Sequence, residues 1–473
     1  MADHPNILLV VVDCLRSDRA PPTEKGKEVM PFLSELAEKG RSFEDVYSTG
    51  SWTVPAHGSL FTGTLPSEHG AYIGQPVLTG DTGPVLSEVL SSAGYETVGI
   101  SANPWLSDEF GFTRRFDEFQ EVLPTLPFED GGDPRILTWK GQDSTLSTLT
   151  KTLSWVFQGN PLKRTVNRFS FFGSSYPLAP GTEMNEHVRS WLADRDDDDT
   201  PFFMFTNYMD VHEPYQRERL ESFLDRDIHP NGFEDVWNLP SLLNPDIVKE
   251  EEDIRRVYDA SVSLADDRIE SLIDIFDQNN ILEDTIVIIT SDHGQALGEN
   301  GFWGHGYFLS DALVKVPLVV YSQDKALLPA REDNRPLSVA ELYDYIETIA
   351  TVDGDAEPPA DFPNRPASDG LVPICQSFGV RDNEREDVVS KGIDVPLDGC
   401  ETAYFGGWVG SYDCKEQVLQ VEVSGGTQSV SREEARETLE ENMTFAPCQK
   451  SSEQDSIQID TDTKRRLKQL GYR

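Results

Sequence analysis

Two short apolar runs, each delivering an aspartate just past its end, constrain this chain more than any bulk property. Asn6–Val12 leads into Asp13, and Thr285–Thr290 (Thr-Ile-Val-Ile-Ile-Thr) leads through Ser291 into Asp292. Unbroken β-branched and aliphatic runs suit strands buried on both faces, as in a mainly parallel sheet covered by helices. Further strands are expected over Glu96–Ser101, Phe202–Tyr208 and residues 316–321, and helices over 30–39, 85–93, 183–192, 257–276 and 339–350. Helices alternating with buried strands predict an α/β fold of three layers with a mainly parallel central sheet. Ligands in such folds bind beyond the carboxyl ends of the strands, which picks out Asp13 and Asp292.

The 473 residues suggest one large domain with a smaller one attached. We place the larger at 1–350, with an irregular insertion at about 120–180. After residue 351 Gly, Pro and Asp become frequent, and short strands are expected near 403–408 and 417–423. The smaller C-terminal α+β subdomain, 351–473, would close with a helix over 463–470.

The chain carries 83 acidic and 40 basic residues, a formal net charge of −43. Such a surface repels nucleic-acid phosphates and anionic lipid, so neither is expected as a partner. Only 14 of the basic residues are Lys, and an acidic, Lys-poor surface resembles those of proteins from salt-loving archaea. No apolar stretch is long enough for a membrane span. Residues 7–12 are too short for the core of a signal peptide, so a cytoplasmic location is expected. Of five cysteines (Cys14, Cys375, Cys400, Cys414, Cys448), four lie in the last hundred residues, where a bridge is possible but not readable from spacing.

An acid at the end of a buried strand is costly unless it caps a helix, is paired, or ligates a cation. Asp13 alone fits either a cap or a ligand. With Asp292 and His293 at a second strand end, the donor set matches a hard or borderline divalent ion. Residues 51–63 (Ser-Trp-Thr-Val-Pro-Ala-His-Gly-Ser-Leu-Phe-Thr-Gly) open a helix, with Pro55 in its first turn. Thr53, expected just before the helix, is either a simple cap or a hydroxyl placed where a tetrahedral oxyanion would sit.

These pieces together resemble the sulfatase family of the alkaline-phosphatase-like superfamily. Residues 5–13 look like its opening strand. Thr53-x-Pro55-x-His57-x4-Thr62-Gly63 is similar to its Cys/Ser-x-Pro-x-Arg-x4-Thr-Gly element, continued by Pro66 to Gly70. Gly111-Phe112 through Phe119, Asp210-Val-His212-Glu-Pro-Tyr215, Ser291-Asp-His-Gly294, Gly298-Glu299, Trp303-Gly-His305-Gly306 and Val316-Pro317 follow in the family's order. Five of the eight histidines (His57, His69, His212, His293, His305) fall inside these motifs.

The resemblance implies an alkaline-phosphatase-like sandwich and hydrolysis of sulfate or phosphate (mono- or di-) esters of a small molecule or glycan. It implies one divalent ion (Mg, Mn, Ca or Zn) held by Asp13, Asp292, His293 and the Thr53 hydroxyl. His212 and His305 would stabilise equatorial oxygens and protonate the leaving group. His57 would orient Thr53 or contact the anion, Glu299 would hold His293 or His305, and Arg16 and Lys315 are further candidates for binding the anion. Three positions depart from the family, one of them His57, which replaces the usual Arg. Cys14 replaces a second Asp, as a structural thiol or a soft ligand, and Thr53 replaces the Cys or Ser that becomes formylglycine. Threonine cannot yield that aldehyde, but it is the nucleophile in related phosphodiesterases, phosphonate-ester hydrolases and head-group transferases. Transfer of a phospho-head-group to a glycan or lipid, and a non-catalytic binding protein of this fold, are the alternatives.

Overall fold

A computed structural model describes residues 4–73, 75–79, 83–122, 160–165, 180–195, 200–213, 251–299, 302–329, 335–351, 373–379, 398–405, 408–413 and 418–423, with single positions at 215, 220, 222, 223 and 443. Most of the expected insertion, the expected closing helix, Cys414 and Cys448 lie outside the described residues.

The described strands are β1 (Asn6–Val12), β2 (Arg41–Phe43), β3 (Val46–Tyr47), β4 (Glu96–Ser101), β5 (Glu118–Glu121), β6 (Phe202–Tyr208), β7 (Thr285–Thr290), β8 (Ala296–Leu297), β9 (Trp303–Gly304), β10 (Leu318–Tyr321), β11 (Leu337–Ser338), β12 (Ile374–Ser377), β13 (Cys400–Phe405), β14 (Trp408–Asp413) and β15 (Val418–Val423). Seven form one sheet in the order β2-β10-β7-β1-β6-β4-β5. Every pairing in it is parallel except those of β10, which runs against both β7 and β2. The fold is therefore α/β with a mainly parallel central sheet, as the apolar runs predict. β10 starts at Leu318 rather than 316 because Pro317 has no N–H to donate, and Val316 N instead bonds Val46 O.

Two sets of helices cover the sheet. One contains α1 (Glu24–Val29), α2 (Pro31–Lys39), α6 (Pro180–Asp194) and α7 (Glu251–Gln278); the other contains α3 (Thr53–Thr62), α4 (Pro66–His69), α5 (Leu86–Ser92) and α9 (Glu341–Thr351), with the short α8 (Asp311–Val314) beside the sheet edge. No described helix is long and apolar enough to cross a membrane.

Strands β12 to β15 form a separate antiparallel sheet. β12 anchors it beside the segment that leads into α3. Gln376 N donates to Thr49 O (2.7 Å), Cys375 Sγ to Ser48 O (2.8 Å) and Ser67 N to Gln376 Oε1 (2.9 Å). Cys375 and Cys400 are buried free thiols, so no bridge joins them. Their register explains this: Cys375 faces Thr402 and Cys400 faces Ser377 across the ladder.

Candidate active site

Register brings the first two acids together. β1 lies between β6 and β7, with Val11 level with Thr290 and Val12 level with Tyr208. Asp13 and Asp292 thus leave neighbouring strands at one sheet edge, and both are buried. Asp292 Oδ1 accepts from the His293 backbone N–H (2.8 Å), while its Oδ2 lies 3.4 Å from His293 Nε2. Asp13 Oδ1 is 3.8 Å from the same nitrogen.

The tautomer of His293 decides what this means. Its Nδ1 donates to Gly294 O (2.8 Å), leaving Nε2 as a bare lone pair aimed at two carboxylates. Neither His293 Nε2 nor Asp292 Oδ2 makes a hydrogen bond, although both are buried. Three electron-rich atoms facing one another inside a protein repel unless a cation lies between them, so this donor set fits a divalent ion.

Thr53 enters from α3. Trp52 is the N-cap and Thr53 the first helical residue, one step further into the helix than expected. Thr53 Oγ1 lies 3.5 Å from Asp13 Oδ2. The amide of Asn103 donates to both, at 2.7 Å to Asp13 Oδ2 and 3.3 Å to Thr53 Oγ1. Asn103 follows β4 at the same sheet edge. The strand-end argument that selects Asp13 also reaches Asn103, but no charge or motif marks it in the sequence. His57, one turn on in α3, donates from Nδ1 to Thr53 O (3.0 Å) and lies 3.5 Å from Asp292 Oδ2. Its ring packs edge-on against Phe205, and its buried Nε2 makes no hydrogen bond.

A second cluster adjoins the first. His212 and His305 have ring centroids 5.0 Å apart, and His305 lies 4.5 Å from His293. His305 Nδ1 donates to Gln295 Oε1 (2.8 Å), and Gln295 Nε2 donates to Glu213 Oε2 (2.7 Å). His212 Nδ1 donates to the Glu213 carbonyl. Cys14, held at φ 64°, sits between the clusters. Its thiol donates to Asp13 Oδ1 (3.3 Å) and lies 3.6 Å from His305 Nδ1.

Burial dominates the electrostatics. It raises Asp13 to about 6, helped by the Asp292 charge, and raises Asp292 to about 7. The same desolvation lowers His57 to about 3 and depresses His293 and His305. His212 moves the other way: burial opposes its charged form, but Glu213 and then Asp13 outweigh it and raise its pKa.

Asp13, Thr53, His57, His212, Asp292, His293 and His305 are thus gathered at one place, and three expected residues are engaged elsewhere. Arg16 gives Nε and one terminal nitrogen to Asp18 (2.9 and 2.8 Å) and the other to Gln295 O (2.9 Å) and Glu299 Oε1 (2.7 Å). Its guanidinium fork is filled by acids rather than held open for an anion. Lys315 pairs with Asp45 at 2.7 Å. Glu299 holds neither histidine: its oxygens accept from Arg16 and from Leu297 N (2.6 Å). Gly294 O and Gln295 do the orienting instead. Gln295, like Asn103, is neutral, so no charge marks it in the sequence.

The sequence profile of the family described as Sulfatase matches residues 5–351. Choline-sulfatase of Rhizobium meliloti (strain 1021) is 26% identical over 343 residues, covering 67% of this chain and 62% of that protein. Iduronate 2-sulfatase of Mus musculus is 24% identical over 378 residues, covering 72% and 63%. The chain therefore spans less than two thirds of the length of either relative. Among solved structures, phosphonate monoester hydrolase of Agrobacterium radiobacter shares the fold, with a TM-score of 0.61 at 16% identity over 98% of this chain and 95% of that one.

Proposed function

Because the chain belongs to the sulfatase family, we propose that it is a metal-dependent hydrolase of sulfate or phosphate (mono- or di-) esters, with Thr53 as its nucleophile. The observation that carries this reading is the contact set of Thr53, Asn103 and Asp13 beside the unsatisfied Asp292 and His293 atoms. One divalent ion (Mg, Mn, Ca or Zn) would be held by Asp13, Asp292, His293 and the Thr53 hydroxyl. Bound there, such an ion favours the alkoxide form of a neighbouring hydroxyl and draws electrons from an ester's central atom.

The chain's own groups supply the rest. Thr53 opens a ten-residue helix, whose first-turn N–H groups favour a tetrahedral anion. Asn103 fixes the hydroxyl against Asp13 Oδ2, the acceptor its proton faces. Attack joins Thr53 Oγ1 to sulfur or phosphorus and breaks the bond to the leaving oxygen, which takes its proton from His212. His305 stays neutral and stabilises equatorial oxygen. Water then cleaves the threonyl ester and restores the hydroxyl. No formylglycine is involved, because threonine cannot form it.

The test is a panel of aryl sulfate, phosphate, phosphodiester and phosphonate esters in high KCl, with and without each metal. Turnover should vanish in Thr53→Ala, and a trapped sulfuryl or phosphoryl adduct should map by mass to the Thr53 peptide. Retained turnover in Thr53→Ala would refute the nucleophile.

A further inference from the structure

The second cluster carries more than proton transfer. Cys14, His212, Glu213 and His305 each offer a ligand atom, and these atoms lie within 4.8 Å of one another. Cys14 Sγ is 3.6 Å from His305 Nδ1, which is 3.8 Å from Glu213 Oε1. A tetrahedral zinc ion at about 2.0–2.3 Å from its ligands sets them about 3.3–3.8 Å apart, so these separations already match. We propose that Cys14, His212, Glu213 and His305 form a second, softer cation site that takes zinc-like ions and, when filled, inhibits the hydrolase.

The donor chemistry separates the two sites. Asp13, Asp292, His293 and the Thr53 hydroxyl offer mostly oxygen, whereas the new site offers one thiolate, two imidazoles and one carboxylate, a set that selects borderline-soft ions. Ligation would release the Cys14 thiol proton as the sulfur–metal bond forms. Burial and the surrounding acids hold that thiol well above its usual pKa, and a cation offsets both effects. To present Nδ1, His305 must carry its proton on Nε2 and exchange its bond to Gln295 Oε1 for one to the cation. Gln295, bonded to Glu213 Oε2, already orients the carboxylate, as outer groups do in metal sites. The inhibitory half rests on the role given to His212 above: a ligated imidazole cannot donate a proton to the leaving group.

The experiment uses the full chain with saturating Mg²⁺ and cobalt(II) as the probe. One equivalent of cobalt should produce a thiolate-to-metal absorption band in wild type and in Asp292→Asn. Cys14→Ser should remove the band and weaken binding by at least about tenfold, and His305→Ala should weaken it too. Absence of the band in wild type, or its survival in Cys14→Ser, would overturn the site. So would a band lost in Asp292→Asn but kept in His305→Ala, since Cys14 would then belong to the first centre. Zinc should inhibit ester turnover in wild type and not in Cys14→Ser; equal inhibition of both would overturn the regulatory half. If no ester is turned over at all, the proposed hydrolase fails while the cobalt band still decides the site.

Discussion

Asn103 is the residue whose removal best separates positioning from folding. Its amide donates to Asp13 Oδ2 and Thr53 Oγ1 from one rigid strand end. Asn103→Ala should lower turnover by about 10–100-fold, the range for a group that orients a metal ligand, while circular dichroism stays unchanged. A variant with full activity would remove Asn103 from the site. The two acids make a second claim at this scale. Folding raises Asp13 to about 6 and Asp292 to about 7 from an ordinary value of 3.8. The folded chain therefore holds these protons more tightly than the unfolded one. Their stabilising contribution is full below the ordinary carboxylate range and is lost as pH rises through the folded values. In chelator and constant high KCl, the melting temperature should fall between about pH 4 and 7, less steeply in Asp292→Asn. Saturating divalent ion should cancel the fall, because a cation favours the charged carboxylates. Identical slopes for wild type and Asp292→Asn in chelator would contradict this.

Helix α3 shows how an element is fitted to its place rather than optimised alone. Gly58 sits mid-helix, where Ala would normally gain about 1 kcal/mol. A Cβ there would meet His69 Cε1 at 2.4 Å. That ring cannot easily retreat: its Nε2 bonds Ser59 Oγ and Pro55 O (both 3.2 Å), and its Nδ1 accepts from Ala71 N (3.1 Å). Overpacking costs about 1–3 kcal/mol, so Gly58→Ala should lower stability despite the better propensity. Denaturant titration reads the sign, and a raised midpoint would refute it. His69, which the motif pattern grouped with the site histidines, is a packing residue of the α3–α4 junction.

At the scale of the whole molecule, charge governs. A net charge of −43 repels itself in dilute buffer, and salt screens exposed charges over a Debye length of about 3 Å at 1 M against about 10 Å at 0.1 M. The melting temperature should therefore rise with KCl, and one that stays flat from dilute buffer to molar salt would count against this reading. Through its contacts with Thr49 and Ser67, β12 braces the segments on either side of α3, the helix that presents Thr53.

Much of this was legible in the sequence because buried strands advertise themselves. β1, β4, β6 and β7 match their expected bounds to the residue, and an acid beyond an apolar run such as β1 or β7 has few reasons to be there, which exposed Asp13 and Asp292. The thirteen residues from 51 to 63 likewise disclosed α3, with an error of one position at its cap. Sequence could not assign partners to long or neutral side chains. Arg16 and Lys315 are the right types to bind an anion and Glu299 to hold a histidine, yet each reaches a nearer partner of opposite charge or a backbone group. Asn103 and Gln295 carry no charge to mark them and matter only through what lies opposite. The apolar runs determined which residues stand at strand ends; only the packed structure decided which strand ends lie side by side and where each flexible polar group spends its hydrogen bonds. Burial is written in local composition, whereas pairing depends on distances between segments far apart in the chain.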